Sequence, residues 1–138
     1  MNIYNIIEKT VELIENNLCN QDLNILFLSS RLFISPYYLQ RIFYSFIGKT
    51  IGTYIRGRRL TEAGTDIKKG EKVLEVAIKY GYESQESFTR AFKKFHKVNP
   101  GVAKKGNILS CLPRIDVKNI IKGEINMDIK IETEKEFC

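Results

Sequence analysis

No apolar run in this chain approaches the ~18 residues that a membrane-spanning helix needs. The N-terminal stretch MNIYNIIEKTVELIENN has no basic region ahead of an apolar run and a small-residue cleavage site, so no secretion signal is expected. Cysteine is scarce. Cys19, Cys111 and Cys138 are far apart and odd in number. They set out neither a disulfide framework nor a zinc pattern and suit a reducing cytoplasm. His96 is the only histidine, and its position suggests a cation covering a helix C-terminus. No serine or cysteine has a plausible base beside it, and neither metal-ligand spacing nor a phosphate loop occurs. These gaps argue against an enzyme: no catalytic residue, metal or cofactor is assigned.

What is present is a basic, core-forming chain. With 138 residues and 43% hydrophobic content, it can bury a core as one domain or two small ones. Its net charge of +6 is uneven. Residues 1–105 carry 17 Lys/Arg against 10 Asp/Glu, giving +7, whereas residues 106–138 carry 5 against 6, giving −1. A basic domain favours polyanions, either nucleic acid or an acidic membrane surface.

The apolar spacing is helical over most of the chain. Ile3, Ile6, Ile7, Val11 and Ile14 predict a first helix. Asp22 can cap a second helix through Ile25, Leu28 and Leu32. Ser35 followed by Pro36 is a sharper start signal, and that helix carries Tyr38, Leu39, Ile42, Phe43 and Phe46 to a stop at Gly48. A long helix is predicted from Thr50 to Lys69, packing through Ile51, Tyr54, Ile55, Leu60, Ala63 and Ile67; Gly57 and Gly64 inside it each cost about 1 kcal/mol relative to alanine. A short helix from Lys72 to Tyr80 packs through Val73, Leu74, Ala77 and Ile78. Gly81 turns the chain, Ser84 caps, and QESFTRAFKKFH forms the next helix with Phe88, Ala91, Phe92 and Phe95 inward. Asn99-Pro100 ends it, with a last turn to Lys105.

One arrangement occurs twice: a short helix, a tight turn, a serine cap, then a helix that is apolar inside and polar outside. The copies are Asp22 to Phe46 and Lys72 to His96. Two helix-turn-helix units joined by a long helix are the economical reading, the second helix of each being presented to a groove. The outward side chains fit that role. Arg41 and Arg90 match guanine, Gln40 and Gln85 match adenine, and Glu86 accepts from cytosine. Tyr37 offers its ring to a thymine methyl or a sugar. Ser87 adds a hydroxyl at the helix start. Ser35, Thr89, Lys93 and Lys94 are placed for phosphate.

At SPYYLQRIF (35–43), YIRGRRLTEA (54–63) and AIKYGYESQESFTRAFKKFHKVNP (77–100) the chain resembles the DNA-binding domain of the AraC/XylS transcriptional regulators. The resemblance covers roughly Ile6 to Lys105. It implies an all-α fold of about seven helices, two helix-turn-helix subdomains bridged by a long helix, reading successive major-groove segments of double-stranded DNA from one face. It also implies Tyr37, Gln40, Arg41, Gln85, Glu86, Ser87 and Arg90 as base-reading positions, with RNA polymerase as a candidate partner and a cytoplasmic, nucleoid-associated location. The first half departs from the family pattern. Leu26 and Phe27 stand where polar residues are usual, Ser29 where alanine is usual, and Phe33 where a turn glycine or asparagine is usual. A bulky residue at positive φ is strained.

After Gly106 the texture changes. Ile115–Ile121 and Ile125–Ile131 alternate, which predicts strands and a short β-hairpin tail. Residues 1–105 are thus expected to form the DNA-binding domain, and 106–138 a linker and β tail similar to the start of the effector-binding domain in some family members. An alternative is a truncated DNA-binding or dimerising module that self-associates through this tail, since an unpaired strand edge is a template for pairing. A membrane-surface binder is the weaker reading, because serine caps and tight turns favour a compact fold over helices lying flat.

Overall fold

The structure, a computed structural model, describes residues 2–103 and 108–122. These form eight helices and, among the described residues, no strand. Helix α1 (Ile3–Asn16) buries the expected stripe Ile6, Ile7, Val11 and Ile14; Asn2 caps it by accepting from the Asn5 amide at 2.9 Å. Helix α2 (Ile25–Leu32) starts two residues later than an Asp22 cap would place it. The Asp22 amide instead donates to the Asn20 side chain at 2.9 Å, closing a turn, and Asn24 takes the capping role on Phe27 N–H. Helix α3 (Pro36–Ile47) follows Ser35 and ends at Gly48, whose φ of 77° is left-handed.

Helix α4 (Ile51–Lys68) is the shared element. Its first part packs Ile51, Tyr54 and Ile55 into one core with α1, α2 and α3. Its second part packs Leu60, Ala63 and Ile67 into another, with α5 (Val73–Lys79), α6 (Gln85–His96) and α7 (Pro100–Ala103). Helix α5 buries only part of the expected set. Val76, Ala77 and Tyr80 are buried with Val73 against them, whereas Leu74 and Ile78 are 51% and 59% exposed. Two apolar stripes compete on this short helix. Ala77 is common to both; the buried one adds Val76 and a tyrosine hydroxyl that donates to Asp66 at 2.7 Å. Burial works to raise the Asp66 carboxyl. The hydrogen bonds from Tyr80 and from Lys79 at 2.9 Å outweigh it and hold the group below the usual carboxylate range.

The tail also differs from expectation. The run Ile115–Ile121 is not a strand: it enters helix α8 (Val117–Lys122). Asp116 is the reason. Its backbone carbonyl accepts from the amides of Asn119 and Ile120, and its carboxylate accepts from the Lys118 amide at 3.1 Å and the Asn119 side chain at 2.8 Å. Alternation at 115 and 117 thus loses to a capping residue between them. The second run, Ile125–Ile131, lies outside the described residues.

Residues 108–116 run back along α4 as an irregular strap. Leu109 packs with the second core; Leu112, Ile115 and the buried Val117 join the first. Gly57 and Gly64 make room for it. A Cβ on Gly57 would stand only 2.4 Å from Leu112 Cδ2, and one on Gly64 would meet Leu109 at 2.9 Å and the His96 ring at 3.0 Å. Their absent side chains explain why a long helix tolerates two glycines.

His96 ends α6 as expected, but it is buried at 3% exposure, a setting that disfavours the expected cation. Its Nε2–H donates to the Leu60 carbonyl at 2.7 Å, its ring lies 4.3 Å from that of Phe92, and its Nδ1 has no hydrogen-bond partner among the described residues. Burial lowers its pKa from the ordinary value, with the Leu60 bond opposing. Folding therefore disfavours the protonated ring. The stability of this arrangement is fully present above the unfolded value of 6.5 and is lost as pH falls through it, because the unfolded chain takes up the proton first. Urea unfolding should show stability dropping as pH falls from about 6.5 toward the lower folded value, with a slope of at most ~1.4 kcal/mol per pH unit. As the only histidine is His96, the His96→Gln variant should lose that slope; an unchanged slope would refute the assignment.

Phe33 tests the turn between α2 and α3. It adopts φ 56°, ψ 41° and leaves its ring 94% exposed. The backbone thus uses the left-handed turn despite the bulky side chain, closing it with Ile34 N–H on the Ser29 carbonyl at 3.1 Å. With little packing to lose, Phe33→Asn should raise stability by about 0.5–1 kcal/mol. A lower urea midpoint in that variant would show that the ring is packed after all.

Candidate nucleic-acid interface

Each candidate reading helix starts at a serine that holds its first turn. Ser35 Oγ accepts from the Tyr38 amide at 3.1 Å, and Pro36 occupies the first helical position, where its missing N–H costs nothing. Ser84 Oγ accepts from the Ser87 amide at 3.0 Å, while Ser87 Oγ donates to the Ser84 carbonyl at 2.9 Å and accepts from its amide at 3.3 Å. This reciprocal capping box satisfies backbone groups at the start of α6.

Packing then decides which side faces out. In α3, Leu39, Ile42 and Phe43 are buried, leaving Tyr37, Gln40 and Arg41 exposed on the other side, with the Tyr37 ring 76% exposed. In α6, Phe88, Phe92 and His96 are buried; the Tyr82, Phe88 and Phe92 rings meet in series at 5.3 and 5.6 Å. Gln85, Glu86 and Arg90 are exposed on the opposite face, as are Lys93 and Lys94. Thr89 and Ser87 are half-buried at its margin. Of the candidate positions, Ser87 is the one whose hydroxyl hydrogen is already used, in the cap.

Gln85, Glu86, Thr89, Arg90 and Lys93 line one open concavity together with Asn99. Sequence reading took Asn99 only as the helix breaker before Pro100. Its carbonyl does start α7, accepting from Val102 and Ala103 N–H at 3.1 and 3.0 Å, yet it also borders this concavity. No local pattern marks that role, because it depends on where the turn after α6 folds back.

The exposed groups combine planar bidentate donors, amides that both donate and accept, one carboxylate and flexible ammonium groups. That mixture suits polar edges flanked by anions better than an apolar ligand. The helix N-termini add unsatisfied amides and a positive dipole end in the same place. Among the described residues no helix is long and apolar enough to cross a membrane.

Comparison with known proteins agrees with this geometry. A family model described as a helix-turn-helix domain matches residues 28–106. The transposon Tn10 TetD protein of Escherichia coli is 38% identical over 96 residues, covering 69% of this chain and 69% of that protein. The multiple antibiotic resistance protein MarA of Escherichia coli strain K12 is 38% identical over 95 residues, covering 68% of this chain and 74% of its own length. Among solved structures, the C-terminal domain of AraT, a response regulator from Geobacillus stearothermophilus, superposes with a TM-score of 0.70 at 24% identity, covering 76% of this chain and 88% of that one. The DNA-binding domain of AdpA, a global transcriptional factor in complex with a target DNA, gives 0.65 at 19% identity, covering 72% and 89%. These two likenesses establish the fold. The family match over more than half of the chain, together with relatives of this similarity, shows that the protein belongs to the AraC/XylS family of sequence-specific DNA-binding transcriptional regulators, which is not an enzyme class.

Proposed function

We propose that α3 and α6 enter successive major-groove segments of double-stranded DNA and read base edges through Tyr37, Gln40 and Arg41 in the first half and Gln85, Glu86, Ser87 and Arg90 in the second. Ser35, Thr89, Lys93 and Lys94 hold phosphates beside them. Residues 1–105 supply this DNA-binding domain. One observation carries the reading: two capped helices, built alike, each turn a polar face of base-matching side chains to solvent while their apolar faces are buried. Arginine supplies two donors to guanine and glutamine a donor–acceptor pair to adenine, each good pair contributing about 1–3 kcal/mol of discrimination.

DNA as the ligand places the protein's work at the nucleoid, in the cytoplasm. RNA polymerase is the partner this reading adds, since a protein seated beside a promoter changes transcription by recruiting or excluding it. Self-association through 106–138 has less support, because residues 109–117 are already seated on the protein's own cores.

Selection of bound duplexes from a random pool should yield one preferred site with two unlike halves about one duplex turn apart, ~34 Å. On that site Arg90→Ala and Gln40→Ala should each relax preference at one base pair. Lys93→Ala should weaken all sequences alike and reduce the salt slope by ~1. A pool that converges on no site at physiological salt would end this reading.

A further inference from the structure

The two helix-turn-helix halves have separate cores and share one continuous element, α4. The principal helix–helix contacts lie within one half, involve α4, or join α1 to α8. On one side of α4 the halves approach around the loop after α1. Arg59 donates to the Leu18 and Asn20 carbonyls at 2.8 Å each, and a Cβ added at Gly81 would stand 3.5 Å from Gln21 Cγ. The other side carries the strap.

Tyr54, Gly57, Arg58, Thr61 and Gly64 recur at helical spacing, so they form one stripe on α4. Each touches the strap, or in the two glycines yields space to it. The Tyr54 hydroxyl accepts from the Ile115 amide at 3.1 Å, and Thr61 Oγ1 accepts from the Leu112 amide at 2.8 Å. Arg58 donates to the Leu112 carbonyl at 2.7 Å. Leu112 fills the space over Gly57 and Leu109 the space over Gly64. At its ends the strap belongs to different halves: Leu109 packs on the second core, Ile115 and Val117 on the first.

We infer that residues 109–117 are a positioning element of DNA recognition, a second tie between the halves that fixes the register of α3 against α6. This rests on the two-part reading proposed above. A helix with two interior glycines is a soft connection when it stands alone. Bridged by a strap anchored in both cores, it holds the two reading faces at one separation and one angle. The strap thereby sets how strictly the protein measures the spacing between half-sites, although it touches no base.

The test uses the full chain in reducing buffer and the site recovered by selection, with the native spacing and with one base pair inserted between the halves. An added pair turns the second half-site by about 34–36° and moves it ~3.4 Å. Wild type should bind the inserted site about 30-fold more weakly. Gly57→Ala strengthens an isolated helix but drives its Cβ into Leu112, displacing the strap. In that variant the inserted-site penalty should contract to about 5-fold or less. Gly57→Ala/Leu112→Ala should contract the penalty no further than either single change, because both act on the one Gly57–Leu112 contact. Leu112→Ala alone, which leaves α4 untouched, should also shrink the penalty and carries the test if Gly57→Ala does not fold. A ratio of affinities is the informative readout, because general destabilisation lowers both affinities together and leaves the ratio unchanged. A full penalty in Gly57→Ala and Leu112→Ala would overturn the inference. No penalty in wild type would instead overturn the two-part reading beneath it.

Discussion

The architecture depends on a charge that α4 could not bury unaided. Arg58 is 5% exposed, and its guanidinium donates to Glu15 on α1, to Glu62 one turn along α4 at 2.9 Å and to the Leu112 carbonyl of the strap. Burial works against this charge, but the hydrogen bond that Arg58 donates to the Glu15 carboxylate and the negative charges of Glu15 and Glu62 together outweigh it, so that the pKa ends above its ordinary value. A buried guanidinium without partners is costly, whereas one with its donors matched is specific about where those partners stand. Arg58 therefore constrains three segments at once: the end of α1, the middle of the shared helix and the strap. Position 58 also lies between Gly57 and Thr61 on the stripe that receives the strap. Polar matching and close approach are achieved over the same turn of helix.

Helices α3 and α6 are products of one construction with different materials. Each follows a left-handed residue, Phe33 at φ 56° and Gly81 at φ 82°. In each, the next amide reaches back to a carbonyl five residues earlier, Ile34 to Ser29 and Tyr82 to Ala77. Each then restarts at a serine cap. The second half meets the turn's demand with glycine and adds a reciprocal cap; the first meets it with a strained phenylalanine and a single-sided cap. Beneath α6, moreover, the tether is a histidine ring on the Leu60 carbonyl, and beneath α5 it is a tyrosine and a lysine on Asp66. These polar tethers join different elements of the second half, whereas the buried Thr10 and Ser29 hydroxyls of the first each donate to a carbonyl of their own helix.

This division explains what sequence reading reached. Helix starts at Ser35, Thr50 and Ser84 were legible because a cap and the turn it serves are neighbours in sequence. The exposed candidates were legible for a related reason: once Leu39, Ile42 and Phe43 face inward, helical geometry puts Tyr37, Gln40 and Arg41 outside. Helix α5 was misjudged where two apolar stripes compete, and only Asp66, fourteen residues away from Tyr80, decides between them. Gly57 and Gly64 read as weaknesses because their reason is Leu112 and Leu109, which no periodicity in α4 announces. His96 reads as a cation at a helix C-terminus; it does end α6, but its burial is created by α4 and the rings beside it, which no local pattern shows. Asp116 is the exception. Its capping role is local, and the alternation around it masks it.

Rigidity between the halves follows from how little each half can say alone. A recognition helix with three or four reading side chains, each good pair contributing about 1–3 kcal/mol, separates its preferred segment from others by only a few powers of ten. A genome offers about a million or more competing segments, so neither half is selective enough by itself. Joining them helps in proportion to the effective concentration at which the second half meets its segment once the first has bound. A loose joint spreads that concentration over many wrong registers and rewards wrong spacings as readily as right ones. A stiff joint concentrates it at one register and turns the distance between segments into information. On the proposed two-part reading, a helix weakened by two glycines and bridged by a strap those glycines admit would supply such a joint.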